Sequence, residues 1–110
     1  MFEITAANGL AWAVALFFLV GAGANGAAPP AIRANYERWG YPGWFHWITA
    51  AVELTTGVLL LFPATRIAGA ALGVLLMLAA AATLFRHRAF AQILAPVAVG
   101  ALTALAGWLS

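Results

Sequence analysis

In the stretch GWFHWITAAVELTTGVLLLFP, residues 43–63, a single carboxylate, Glu53, stands in the middle of an otherwise apolar run. At 3.6 residues per turn, His46, Thr49, Glu53, Thr56 and Gly57 fall on one side of a helix, while Trp47, Ile48, Val52 and Leu59 largely occupy the others. A neutral carboxylic acid donates one hydrogen bond, and its ionised form accepts protons or binds cationic groups. An ionised acid at a bilayer centre costs at least about 2.5–3.5 kcal/mol on insertion scales. Glu53 is therefore expected to face protein, where it is paired, hydrated or protonated. No basic residue sits at a comparable depth, so desolvation is expected to keep it protonated for much of the time near neutral pH. The same pattern also fits a simpler role, a carboxyl that locks helix register through Thr or Asn neighbours; Asn8 and Asn25 flank the first apolar segment.

His46 precedes Glu53 by two turns, roughly 10.5 Å along a helix axis, too far for a direct hydrogen bond. Water or a ligand would have to bridge them; otherwise His46, beside Trp44 and Trp47, reads as a lipid-headgroup contact. A second histidine, His87, lies in the sequence RHR, whose Arg86 and Arg88 suit phosphate headgroups, and no spacing of the two histidines supports haem. In the last segment Gln92, Pro96, Val99 and Thr103 align on one face, the expected wall opposite Glu53, with Thr83 contributing from the preceding segment. Pro96 is expected to loosen helix bonding there. The candidate ligand-binding residues are thus Glu53, Thr49, Thr56, His46, Asn25, Gln92 and Thr103. No catalytic set and no metal set are expected. The chain has no cysteine, which excludes disulfides, thiol relays and cysteine metal sites.

The elements that must position these groups follow from composition. Of the 110 residues 65% are apolar and 7% charged, far from the roughly 25% charged of a water-soluble domain. A helix crossing a hydrocarbon core of about 30 Å needs about 20 apolar residues. Four such segments fit, near 6–28, 43–62, 66–85 and 90–109. Short loops make neighbours antiparallel, giving an all-α integral membrane four-helix up-and-down bundle and one transmembrane domain over 1–110. The first segment has no basic residue before Arg33 and carries Glu3, unlike the positive start of a secretory signal, so it is expected to be a retained span. The GAALG of segment three, with Gly69 and Gly73, and the glycines of segment one provide small-residue seams for packing within the chain or in a homodimer.

The first loop, PPAIRANYERWGYPG, is expected to hold a short interfacial helix over about 30–39, with Ile32, Tyr36 and Trp39 on one face and Arg33 and Glu37 as an i,i+4 pair. Such a helix either anchors the loop or caps a cavity opening between the first two spans. Tyr36, Trp39, Tyr41, Trp44 and Trp47 form the expected aromatic anchor. Arg33, Arg38, Arg86 and Arg88 lie on one side against Arg66 on the other, and this bias places loops one and three in the cytoplasm and both termini outside, in a bacterial inner membrane. Five scattered arginines form no basic stripe, so no nucleic-acid partner is expected.

The order of these features carries a resemblance. A glycine-rich end of span one, Gly40-Tyr41-Pro42 before span two, VELTTGVLLL with Glu53, Leu54 and Gly57, then Arg66 and an alanine-rich span ending in TLFRHR, is similar to the DoxX-like family of small four-span membrane proteins. The likeness covers nearly the whole chain. Members of that family often carry a lysine near the end of span one, where this chain has Asn25. The resemblance implies varied roles: some relatives are small subunits of thiosulfate:quinone oxidoreductases, and animal relatives are assembly factors for receptor channels. A quinone is therefore the ligand or cofactor that the resemblance suggests.

Three functions are compatible with the residues. The first is a non-enzymatic module or accessory subunit that binds a quinone-like or sterol-like molecule, or a partner membrane protein, around Glu53, with membrane lipids and a homodimer as further partners. The second is a small proton-coupled multidrug-type exporter using Glu53. The third is a membrane isomerase or redox-associated enzyme subunit, for which a second ionisable group at the depth of Glu53 would be expected.

Overall fold

A computed structural model describes residues 5–110, so the Glu3 used above lies outside the described residues. Five α-helices follow one another: α1 (Ala6–Ala27), α2 (Pro30–Arg38), α3 (Phe45–Leu61), α4 (Arg66–Arg86) and α5 (Leu94–Trp108). Local chemistry sets their ends. The Thr5 side chain accepts a hydrogen bond from the Asn8 N–H at the start of α1. Pro30 occupies the first turn of α2, where its missing N–H removes no helix bond, and Gly40 at φ +80° turns the chain after it. Pro63 stops α3, and Pro63–Thr65 form a 3-10 turn into α4.

One expectation about segment four changes. The segment expected over 90–109 is the apolar unit Phe90–Trp108, a 3-10 turn at Phe90–Gln92 followed by α5 from Leu94. Pro96 then falls in the first turn of α5, where backbone N–H groups lack intrahelical partners anyway, so it starts the helix without loosening it.

α1 packs on α3, α3 on α4, α4 on α5, and α5 returns to α1, closing a four-helix ring with α2 lying against α3. Contacts between opposite ends show the up-and-down arrangement: Trp12 Nε1 near the start of α1 donates to Leu61 O at the end of α3. Likewise Tyr41, just before α3, meets Thr83 late in α4. At mid-height the four helices converge on Gly73, where an added Cβ would meet Thr103 Cγ2 at 2.9 Å, Thr56 Cγ2 at 3.0 Å and Phe18 Cζ at 3.1 Å. The Gly69 and Gly73 seam therefore serves packing inside this chain. Leu16, Val20, Leu75, Leu78 and Leu102 point outward while Asn8, His46, Glu53, Thr56, Arg66 and Thr103 are buried. An apolar exterior around a polar-dotted interior suits a lipid surround.

α1, the unit of the 3-10 turn with α4, and the corresponding unit with α5 are each long and apolar enough to cross a membrane. α3 has 17 residues, about 25 Å at 1.5 Å per residue, and needs its flanking residues to match a hydrocarbon core of about 30 Å.

Arg66, unlike the Arg86 and Arg88 that suit headgroups, lies inside the bundle. It is 2% exposed, with Nε donating to Leu60 O at 3.0 Å and Nη1 to Asn8 Oδ1 at 2.9 Å. The guanidinium thus caps the carbonyl end of α3 from inside the bundle.

Candidate functional site

Glu53 is the central residue of α3, 5% exposed, and packs against α1 where that helix has glycine. A Cβ at Gly21 would collide with Glu53 Oε2, so only glycine leaves room for the carboxyl at that contact. One turn further along α1, Asn25 Nδ2 donates both to Gly21 O at 3.0 Å and to Glu53 Oε1 at 2.5 Å. Because a backbone carbonyl only accepts, Gly21 fixes which way the Asn25 amide faces. Asn25 Oδ1 is then turned to the Tyr36 phenol, which donates to it at 2.7 Å. Glu53 Oε1 is an acceptor in this arrangement, and the proton of a neutral Glu53 belongs on Oε2.

His46 joins the same hub from its other side. Its Nδ1 lies 2.9 Å from Asn25 O, and since that oxygen accepts, Nδ1 carries hydrogen and the ring is oriented by α1. The gap between His46 and Glu53 is therefore bridged by one residue, Asn25, through its backbone and its side chain. Where sequence suggested water or a ligand, the protein supplies the link itself.

Next to this network lies a cavity of about 290 Å³ between α3 and α4, roofed by α2 and the loop after it. Its walls include Tyr36, Trp39, Tyr41, Phe45, Thr49 and Thr83. Tyr41 and Phe45 stack with centroids 4.4 Å apart and planes 8° apart, forming a flat aromatic wall. Tyr41 Oη lies 2.6 Å from Thr83 Oγ1, tying the loop to α4. Burial, above all, pushes the Tyr36 phenol above its ordinary range; a Thr49 hydroxyl hydrogen bond opposes this, and the Glu53 charge adds to it. Tyr36 accordingly keeps its proton.

The predicted site residues separate into two groups. Glu53, Asn25 and His46 meet in the network, and Thr49 lines the cavity beside Tyr36. Thr56 and Thr103 are fully buried at the Gly73 crossing, with their hydroxyls donated to Val52 O and Val99 O of their own helices, so they belong to packing. Gln92 sits exposed on the turn before α5 and lines no part of the cavity. The element facing Glu53 is α1, at Gly21 and Asn25, not the expected face of segment four, and the cavity wall opposite α3 is α4. The cavity also opens between spans two and three, not between the first two.

The anchor residues divide as well. Trp44 and Trp47 are 60% and 62% exposed, as surface anchors would be. Tyr36 and Tyr41 turn inward and make the polar contacts of the site, a role that sequence reasoning missed although Tyr36 was placed on one face with Ile32 and Trp39. Arg33, expected to pair with Glu37, donates Nε to Ala28 O at 2.8 Å and so holds α2 to the end of α1.

The family model that describes the DoxX-like family matches residues 9–106, which include every residue of the network and the cavity. The chain belongs to the DoxX-like family. No curated protein and no solved structure matches it significantly. Membership together with three long apolar helices makes this an integral membrane protein.

Proposed function

We propose that this DoxX-like protein is a non-enzymatic membrane module or accessory subunit that binds a lipophilic small molecule between α2, α3 and α4. The single observation that carries the reading is the aromatic cavity whose polar end, Tyr36, is hydrogen-bonded through Asn25 to the buried Glu53. Ligand pockets combine apolar walls with a few placed polar groups, and about 290 Å³ is the low end of their size, suited to a ring system with its tail outside. Ile48, on the rim and 45% exposed, offers that tail a lateral way into lipid. In this proposal Glu53 lies midway through the bilayer as the rigid end of the network, holding Tyr36 in place. Quinone-like and sterol-like molecules fit the shape; a partner membrane protein or a second copy would meet the outer faces. The location is a bacterial inner membrane, with loops one and three cytoplasmic.

The test is to purify the protein in mild detergent and identify co-purifying lipids and quinones by mass spectrometry. Ala80→Phe, which fills the cavity from α4, should lose the ligand, and Glu53→Gln should weaken its retention. Equal recovery from wild type and Ala80→Phe overturns the cavity as the site. Substrate uptake driven by a pH gradient in proteoliposomes, lost in Glu53→Gln, would favour a proton-coupled exporter instead.

A further inference from the structure

The hydroxyl groups around the cavity can be followed proton by proton. Tyr36 donates to Asn25 Oδ1, a direction fixed by the Gly21 carbonyl on the other side of that amide. Thr83 has one hydroxyl proton and gives it to Ala79 O at 2.9 Å, an acceptor that offers no alternative. In the Tyr41–Thr83 contact the donor is therefore Tyr41. Three of the four hydroxyl protons on the cavity wall, those of Tyr36, Tyr41 and Thr83, are thus engaged within the protein, and what those oxygens still offer is lone pairs.

From this we infer that the cavity selects ligands carrying an O–H or N–H donor on an apolar, ring-sized head, such as a phenol, a quinol or a sterol alcohol, over the matching ketone, quinone or ether. A carbonyl or ether oxygen placed at the polar end would face acceptor oxygens and lose its water without replacement, whereas a hydroxyl keeps a hydrogen bond. The inference rests on the ligand-binding reading above and sharpens it. Trp39 carries the one side-chain N–H among the lining residues, so its indole and the Thr49 hydroxyl are the groups a carbonyl ligand would have to use.

The probes are a 4-alkylphenol and its methyl ether of the same chain length, titrated calorimetrically into the detergent-solubilised protein. The phenol is expected to bind about tenfold more tightly, the size of one hydrogen bond made rather than lost. Tyr36→Phe and, separately, Tyr41→Phe identify which oxygen accepts; at least one should bring the ratio close to one while the protein stays folded by circular dichroism. Trp39→Phe should leave the ratio unchanged. Equal binding of both probes to wild type, tighter binding of the ether, a ratio unaffected by either tyrosine variant, or a ratio lost in Trp39→Phe would each overturn the inference. Absence of binding by both probes would instead remove the ligand-binding reading beneath it.

Discussion

Glycine and asparagine on α1, more than the glutamate itself, determine what the Glu53 carboxyl does. Gly21 gives it space and a carbonyl that orients Asn25; Asn25 gives it a donor. Removing that donor leaves a buried acceptor unmatched, at a cost of about 1–3 kcal/mol. Asn25→Leu should therefore lower the unfolding midpoint in micelles, as should Glu53→Leu, and the double variant should recover part of the loss. A coupling of about 1 kcal/mol between the two positions is expected; additive effects would show that the contact contributes nothing. Gly21→Ala is expected to destabilise by about 1–3 kcal/mol through overpacking, and Glu53→Ala in the same chain should relieve it. Sequence made Glu53 and Asn25 legible because a carboxylate or amide in an apolar segment has few physical explanations. Tyr36 and Tyr41 were harder, because a tyrosine near a membrane boundary satisfies the same pattern whether its hydroxyl meets water or a buried amide.

Among the elements, α3 depends most on its neighbours. With the 3-10 turn before α5 counted as part of that span, α3 is the shortest apolar unit of the ring, and its last carbonyls meet a guanidinium from α4. Hydrogen bonds to a charged donor are worth about 1.5–3 kcal/mol each, so Arg66→Met should destabilise by at least about 2 kcal/mol in thermal unfolding. Arg66→Lys should restore only part of this, since an ammonium cannot reach Leu60 O and Asn8 Oδ1 with the geometry of a planar fork. Full recovery with lysine would mean that charge alone suffices. The helices themselves were readable from apolar runs and from Pro30, Gly40 and Pro63. The division of the last segment into a 3-10 turn and α5 was not, because the turn at Phe90–Gln92 is held by local bonds such as Ile93 N–H to Phe90 O that no turn residue announces. Nor did periodicity show that α4, rather than α5, closes the cavity, since several faces of these alanine-rich helices are equally apolar.

For the whole molecule, ring closure places the network on the α1–α3 seam and the cavity on the α3–α4 side, with α3 common to both and Tyr36 of α2 linking them. α2 carries Arg33 and Arg38, and the end of α4 with the turn after it carries Arg86 and Arg88, so the roof of the cavity shares a membrane face with four of the five arginines. In the orientation proposed above, with positive loops retained in the cytoplasm, that is the cytoplasmic face. The absence of cysteine allows a direct check, because one introduced thiol is the sole target of a maleimide. In intact cells a membrane-impermeant maleimide should label Ser110→Cys, while His87→Cys should react only after permeabilisation. The reverse pattern would place the cavity roof outside. Arg66 is buried in the folded bundle, but orientation is decided during insertion, when its charge still counts, so the bias is four against one. Replacing Arg86 and Arg88 with glutamine reduces it to two against one, and Ser110→Cys in that background should be labelled in only part of the population. Uniform labelling from outside would mean that Arg33 and Arg38 set the topology by themselves.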